Sequence, residues 1–123
     1  MIVKKIKNLK PFFFENSKIP VFLSRFAPIE INAINLGPFV FSRGEISKST
    51  KNHETIHFQQ QIELLFLMFY VFYFLYWLAQ LISGKSGAEA YRNIPFEKEA
   101  YSNQDDYSYL QDRSFFSWLK YRK

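Results

Sequence analysis

The longest apolar stretch of this chain lies just past its midpoint. From Leu64 to Ile82 every residue except Gln80 is apolar or aromatic, and the stretch has no charge, Gly or Pro. A helix of these 19 residues is about 28 Å long, close to the ~30 Å hydrocarbon thickness of a bilayer. The rest of the chain is polar. The pattern therefore predicts a water-facing unit interrupted by one membrane-sized helical segment.

Shorter patterns before this stretch predict β structure and then a long helix. Apolar or alternating runs punctuated by turn residues predict a small meander or hairpin over 20–46, with runs at Val21-Phe22-Leu23, Glu30–Leu36 and Phe39-Val40-Phe41 and turns near Pro28, Gly37 and Gly44. The segment Ser47-Lys48-Ser49-Thr50 supplies candidates for the N-cap of a helix. Ser49 or Thr50 directly precedes a stretch from Lys51 onward that is expected to be helical, because it has no Pro or Gly until Gly84.

Shorter helices are expected after the apolar stretch. Residues 88–93 are expected to be helical, and Pro95 is expected in the first turn of a helix from about Phe96 to Leu110. Residues 114–123 can form a short amphipathic helix. The predicted fold is α+β: a β meander or hairpin, a long helix that continues into the apolar segment, and a later helix. At 123 residues we expect a single domain, 1–123.

Composition narrows the chemistry that this chain can perform. It has no cysteine, which excludes a disulfide scaffold, a Cys-ligated zinc site and thiol catalysis. Aromatic residues make up 20% of the chain, and its net charge is +5. Because the basic residues are scattered and no recognition motif is present, we expect no nucleic-acid partner.

The only two histidines, His53 and His57, lie four residues apart, and Glu54 follows the first. On a helix both imidazoles lie on one face and can reach a single ion. Glu54 can then touch a metal-bound water without binding the metal itself. This is the HExxH arrangement of zinc proteases, with two imidazole ligands and a carboxylate as general base.

A catalytic zinc site usually has a third protein ligand, which must be a carboxylate here because there is no other histidine or cysteine. Glu63 is too far along the same helix, about 9 Å beyond His57. The residues that remain are Glu89, Glu97, Glu99, Asp105, Asp106 and Asp112. Glu97 and Glu99 point to different faces of a helix, so only one of them can face the metal.

Other polar residues near these segments can support the chemistry. Asn52 and Gln59 can orient a ligand, and Tyr91, Arg92 and Tyr101 can stabilise an oxyanion.

Two segments together resemble a known family. The sequence NHETIHFQQ at Asn52–Gln60, followed by IPFEKEAY at Ile94–Tyr101, is similar to the gluzincin group of HExxH zinc metallopeptidases, in particular to small bacterial membrane-associated members. In that group a Glu on a later helix is the third ligand, often within Glu-x-x-Ala-Asp. The resemblance implies a Zn²⁺ cofactor held by His53, His57 and Glu97, with Glu99 as the second candidate. Tyr101 stands where the family usually has an acidic residue.

A straight apolar helix conflicts with Glu97 as a ligand. If Leu64–Ile82 crossed a bilayer, His53 and Glu97 would lie on opposite sides, and a non-helical return through hydrocarbon costs several kcal/mol for each unsatisfied backbone group. The segment is then re-entrant, interfacial or part of an oligomer core, or the ligand comes from a neighbouring subunit of different orientation. The aromatic residues of the segment favour a position at the membrane–water interface. We therefore expect a membrane-embedded segment that does not simply span the bilayer.

These observations support a membrane-associated zinc metallopeptidase of the bacterial inner membrane, with peptide or protein as substrate and membrane lipid as a further partner. Glu54 would be the general base, and β structure near 31–41 could align an extended peptide. The alternative is a non-catalytic membrane protein of the same fold that binds zinc or a protein partner. The sequence does not determine the oligomeric state.

Overall fold

A computed structural model describes residues 9–25 and 33–122 of the chain. Within these ranges a small three-stranded sheet is followed by helices, which confirms the α+β fold. The elements are β1 (Phe12–Phe14), α1 (Ile19–Ser24), β2 (Ala33–Leu36), β3 (Phe39–Ser42), α2 (Lys48–Glu63), α3 (Leu67–Ile82), α4 (Gly87–Arg92), α5 (Pro95–Asn103), α6 (Tyr109–Asp112) and a 3₁₀ helix (Ser117–Tyr121).

The sheet is built around the predicted hairpin. β2 and β3 pair antiparallel across a two-residue turn at Gly37 and Pro38, where Gly37 has the positive φ of 59° that such tight hairpin turns require. β1, which the pattern did not predict, pairs parallel to β3 on its other side. The expected turn at Pro28 and residues 30–32 of the expected strand lie outside the described residues.

The expected strand Val21-Phe22-Leu23 is wrong, because these residues belong to helix α1. The amide of Ile19 donates to Oγ of Ser17 at 3.1 Å, and Pro20 stands in the first turn, where a missing N–H costs nothing. These signals at the start of the helix prevail over the β propensity of three apolar residues.

Helix α2 begins earlier than expected and ends in an abrupt turn. Its cap is Ser47, whose Oγ accepts from the amide of Thr50 at 3.1 Å. At the other end the amide of Phe66 donates to the carbonyl of Gln61 at 2.6 Å, and Leu65 and Phe66 have φ values of 55° and 61°. This six-to-one bond over a left-handed residue is the Schellman ending of a helix, with Leu65 at the position that Gly usually holds.

The turn separates α2 from the apolar helix α3, which bends away by 110°. A left-handed non-Gly residue costs about 1–2 kcal/mol, so tertiary burial must compensate the turn. Phe69 of α3 is buried with Ile94, Phe96 and Trp118 in the core cluster. Within the described residues no single helix is long and apolar enough to cross a membrane, although α2 and α3 together meet that test by length and composition.

Helix α5 is shorter than expected and ends at Asn103. The side chain of Asn52 on α2 caps this end of the helix: its Nδ2, with two hydrogens to share, lies 3.2, 2.8 and 3.1 Å from the carbonyl oxygens of Asn103, Gln104 and Asp106. The rest of the expected helix is a loop and the short α6. The expected terminal helix is a 3₁₀ helix that carries Trp118 into the core.

Candidate metal centre

Three buried side chains from two helices converge on one point. His53 and His57 lie one turn apart on α2, and Glu97 lies in the first turn of α5. The two Nε2 atoms are 3.1 Å apart, and Oε1 of Glu97 is 3.1 Å from the Nε2 of His53 and 3.0 Å from that of His57. All three residues are buried and together can hold a metal ion.

The spacing of these atoms suits a small tetrahedral cation. Imidazole nitrogens and carboxylate oxygens bind Zn²⁺ at 2.0–2.2 Å, which places neighbouring ligands of a tetrahedral ion about 3.3 Å apart. The observed separations of 3.0–3.1 Å lie close to that value. Two nitrogens and one oxygen also form a ligand set that zinc accepts. The residues therefore fit the group that the resemblance implies.

The outer nitrogen of each imidazole is held by a glutamine. Nδ1 of His57 lies 2.8 Å from Oε1 of Gln60, whose Nε2 donates to the carbonyl of Phe96 and to Oε1 of Glu99. Because the amide hydrogens of Gln60 are already used, Nδ1 of His57 must be the donor. Nδ1 of His53 donates to Oε1 of Gln104 in the same way, at 2.8 Å. A neutral imidazole so held presents the lone pair of Nε2 to the centre.

Charge within the triad shifts the titration of two of its members. Burial lowers the pKa of His57, but the charges of Glu97 and Glu54 and the hydrogen bonds to Glu97 and Gln60 outweigh it and raise that pKa to about 9. Burial raises the pKa of Glu97, but the charges and hydrogen bonds of His57 and His53 hold it well below its ordinary value. A metal ion at this point would compete with the extra proton on His57.

Glu99, the second candidate ligand, faces away from the centre into a buried ion network. Its carboxylate accepts from Nε of Arg113 at 2.6 Å and from Oη of Tyr109 at 2.5 Å. Arg113 also pairs with Glu63 at 2.5 Å. Glu99 therefore satisfies a buried guanidinium and, through Gln60, supports the hydrogen bond to His57.

Glu54 lies close enough to the triad for its charge to act on His57, and it contacts the hairpin. It is buried, and its Oε2 lies 3.5 Å from Nδ2 of Asn35 on β2. The side-chain oxygen of Asn35 accepts from Nε2 of Gln61, which determines the direction of the Asn35 amide. Tyr70 ties the hairpin to α3, because its Oη accepts from the amide of Gly37 at 2.6 Å and donates to the carbonyl of Asn35 at 3.1 Å.

An aromatic group borders His53. The ring of Tyr101 lies edge-on to His53 at 4.5 Å, and the guanidinium of Arg92 stacks on that ring at 4.4 Å. Oη of Tyr91 lies 3.1 Å from Oη of Tyr101. The three residues named as oxyanion candidates thus form one connected group beside the first histidine.

Three side chains that the sequence did not suggest hold atoms of the triad. Asn52 holds the end of α5, and Nε2 of Gln59 donates to the carbonyl of Leu9 at 3.3 Å. The orienting side chains are Gln60, Gln104 and Tyr73, whose Oη donates to Oε2 of Glu97 at 2.6 Å. Gln60 could have been found by its helical spacing of three from His57, but no local signal marks Gln104 or Tyr73.

Comparison with protein family models, with curated proteins and with solved structures finds no match to this chain.

Proposed function

We propose that this protein is a membrane-associated zinc metallopeptidase. The observation that carries the proposal is the buried set of Nε2, Nε2 and Oε1 atoms 3.0–3.1 Å apart, with Glu54 directly following the first histidine. Two imidazoles and a carboxylate are the ligand set of many zinc peptidases, and they leave one coordination position for water or substrate. The gluzincin resemblance of Asn52–Gln60 and Ile94–Tyr101 points the same way.

In the proposed reaction each residue of the site has a separate role. A bound Zn²⁺ would supply a water of lowered pKa and polarise the carbonyl of the substrate. Glu54 would accept the proton of the attacking water and pass it to the leaving amine, since it is an acidic side chain beside the triad. Asn35 would restrain the carboxylate of Glu54 through its Nδ2, which lies 3.5 Å from Oε2.

A peptide substrate is supported by the position of β2. This strand lies at one edge of the sheet, and its residue Asn35 contacts Glu54. An extended peptide that pairs along a sheet edge receives main-chain hydrogen bonds, and along this edge it would pass the proposed base. Because Oη of Tyr70 already bonds the carbonyl of Asn35 and the amide of Gly37, such a peptide would pair only with the part of β2 that precedes this carbonyl.

Membrane association is supported by the outer face of α3. Large apolar side chains spaced along one side of this uncharged helix are exposed: Leu67, Met68, Val71, Phe74, Leu75, Leu78 and Ile82. Leu67 and Ile82, near its two ends, are 71% and 79% exposed. A helix of this kind that lies in the interface buries such a face among lipid chains. We propose this interfacial placement.

Metal content and peptide hydrolysis, measured on wild type and on Glu54→Gln, test the proposed function. Wild type should hold about one zinc per chain and cleave an unstructured protein such as casein. Glu54→Gln should keep its zinc but lose turnover, because an amide cannot accept the proton of the water. Wild type that binds zinc but hydrolyses no substrate would favour the non-catalytic alternative, and wild type without zinc would refute the site.

A further inference from the structure

The two oxygens of Glu97 have different neighbours. Oε1 faces the two imidazoles, whereas Oε2 accepts a hydrogen bond of 2.6 Å from Oη of Tyr73. Tyr73 lies on the apolar helix α3, 24 residues before Glu97. It is partly buried: its ring stacks on Phe96 at 6.3 Å with ring planes 13° apart, and it packs against Phe69 at 5.6 Å.

This division matters because a carboxylate can bind a metal through one oxygen or through both. Binding through both would add a fifth ligand and crowd the coordination position that a catalytic site keeps for water or substrate. A short hydrogen bond to a carboxylate oxygen is charge-assisted and stronger than one between neutral groups. The hydroxyl of Tyr73 therefore opposes rotation of Oε2 toward the centre.

We infer that Tyr73 is a positioning residue that restricts Glu97 to a single oxygen at the metal. This inference rests on the proposed zinc site. It identifies Tyr73 as the residue that keeps one coordination position of the metal free for water or substrate. It also makes α3 part of the centre, because the hydroxyl that holds the ligand comes from the helix whose opposite face is apolar and exposed. The bend at Leu65 and Phe66 is what brings that helix over Glu97.

Tyr73→Phe tests this inference, since it removes the hydroxyl and keeps the ring that packs on Phe96. Tyr76→Phe is the matched control: Tyr76 lies on the same helix and also contacts Phe96, at 6.0 Å. Two readouts are needed besides activity. Zinc affinity is measured by competition with a chelating dye. Coordination is measured from the visible absorption of the Co²⁺-substituted proteins, which weakens when a four-coordinate ion becomes five-coordinate.

We expect Tyr73→Phe to bind zinc about 10–100-fold more weakly, as other lost supports of metal ligands do. Its Co²⁺ absorption should weaken and shift relative to wild type, and Tyr76→Phe should match wild type in both measurements. Unchanged affinity and absorption in Tyr73→Phe would overturn the inference and leave the proposed site intact. Weaker affinity with an unchanged Co²⁺ spectrum would also overturn it. A wild type that binds neither metal would refute both the inference and the proposed function.

Discussion

Nε2 of His57 lies 3.0 Å from Oε1 of Glu97, although 40 residues separate the two along the chain. The intervening chain leaves α2 through a left-handed turn at Leu65 and Phe66, continues along the apolar helix α3 and returns to the histidines at α5. The bend of 110° removes the conflict between a straight apolar helix and a ligand at Glu97. The metal centre therefore depends on the turn as much as on its own side chains.

Leu65→Gly should preserve or increase stability, by up to about 1 kcal/mol. Leu65 is 80% exposed and has φ of 55°, so the substitution removes backbone strain and almost no buried surface. In a continuous straight helix the same change would cost about 1 kcal/mol. Leu64→Gly is the control, because Leu64 has φ of −107° and packs against the core cluster, and it should destabilise. Urea unfolding of the three proteins measures the difference, and a loss of stability in Leu65→Gly would contradict the bent arrangement.

Glu97→Gln should mainly lower zinc affinity, whereas Glu99→Gln should mainly lower the stability of the fold. Glu97→Gln should lose zinc affinity by more than the ~10–100-fold typical of residues that only support a ligand. Glu99→Gln should keep most of its zinc but unfold more easily, since removing one partner of a buried ion pair costs about 3–5 kcal/mol. Glu63 still pairs with Arg113 in this variant, so the lower end of that range is expected.

Zinc titration and chemical denaturation of both variants separate these outcomes. If Glu99→Gln lost zinc while Glu97→Gln retained it, the ligand assignment would have to be exchanged. If neither variant lost zinc, the third ligand would be another group.

The metal-free protein should be most stable in weakly acidic solution. The pKa of His57 is raised from 6.5 to about 9, so this group stabilises the fold fully below pH 6.5 and loses that effect as pH rises toward 9. The pKa of Glu97 is lowered from 4.5, so its contribution is present above pH 4.5 and is lost as pH falls further. From this pair we expect a maximum between pH 4.5 and 6.5.

Thermal unfolding in a chelating buffer, measured from below pH 4.5 to pH 9, shows how the stability of the metal-free protein depends on pH. Glu97→Gln is the control, because loss of the carboxylate charge reduces the stabilisation of protonated His57, although the charge of Glu54 and the hydrogen bond to Gln60 remain. The fall in melting temperature from pH 6.5 to 9 should therefore be smaller in Glu97→Gln than in wild type, and parallel curves would contradict the assignment.

Charged residues on the outer face of α3 should weaken lipid binding. A Leu67→Lys, Leu75→Lys double variant places two charges in the exposed apolar stripe, whose lipid contact would otherwise bury those side chains. Co-sedimentation with vesicles of phosphatidylcholine and phosphatidylglycerol should then decrease by at least tenfold, while zinc content stays unchanged. Leu119→Lys, at a residue 41% exposed on the 3₁₀ helix, is the control and should bind vesicles like wild type.

Two results would contradict lipid as the occupant of this face. Wild type that does not sediment with vesicles and is monomeric at high concentration without detergent would show an exposed helix with no membrane role. Wild type that forms a defined dimer, which the double variant dissociates, would assign the face to a second copy of the chain.

The features that the sequence predicted correctly are those set by local geometry. His53 and His57 share a helical face because residues four apart always do so, and the turn at Gly37 follows from the φ that a two-residue hairpin needs. The apolar character of Leu64–Ile82 is likewise read directly from the chain. The α+β order of elements follows from such signals.

Tertiary structure alone decided which distant groups meet. Glu97 and Glu99 are both acidic residues of one short helix, and only the packing of α5 against α2 turns one toward the histidines and the other toward Arg113. Tyr73 is one of many aromatic residues in its segment until α3 folds back over Glu97. The turn that allows this has no Gly or Pro, because burial of Phe69 and Phe96 can compensate a left-handed Leu and Phe that local preference alone would forbid.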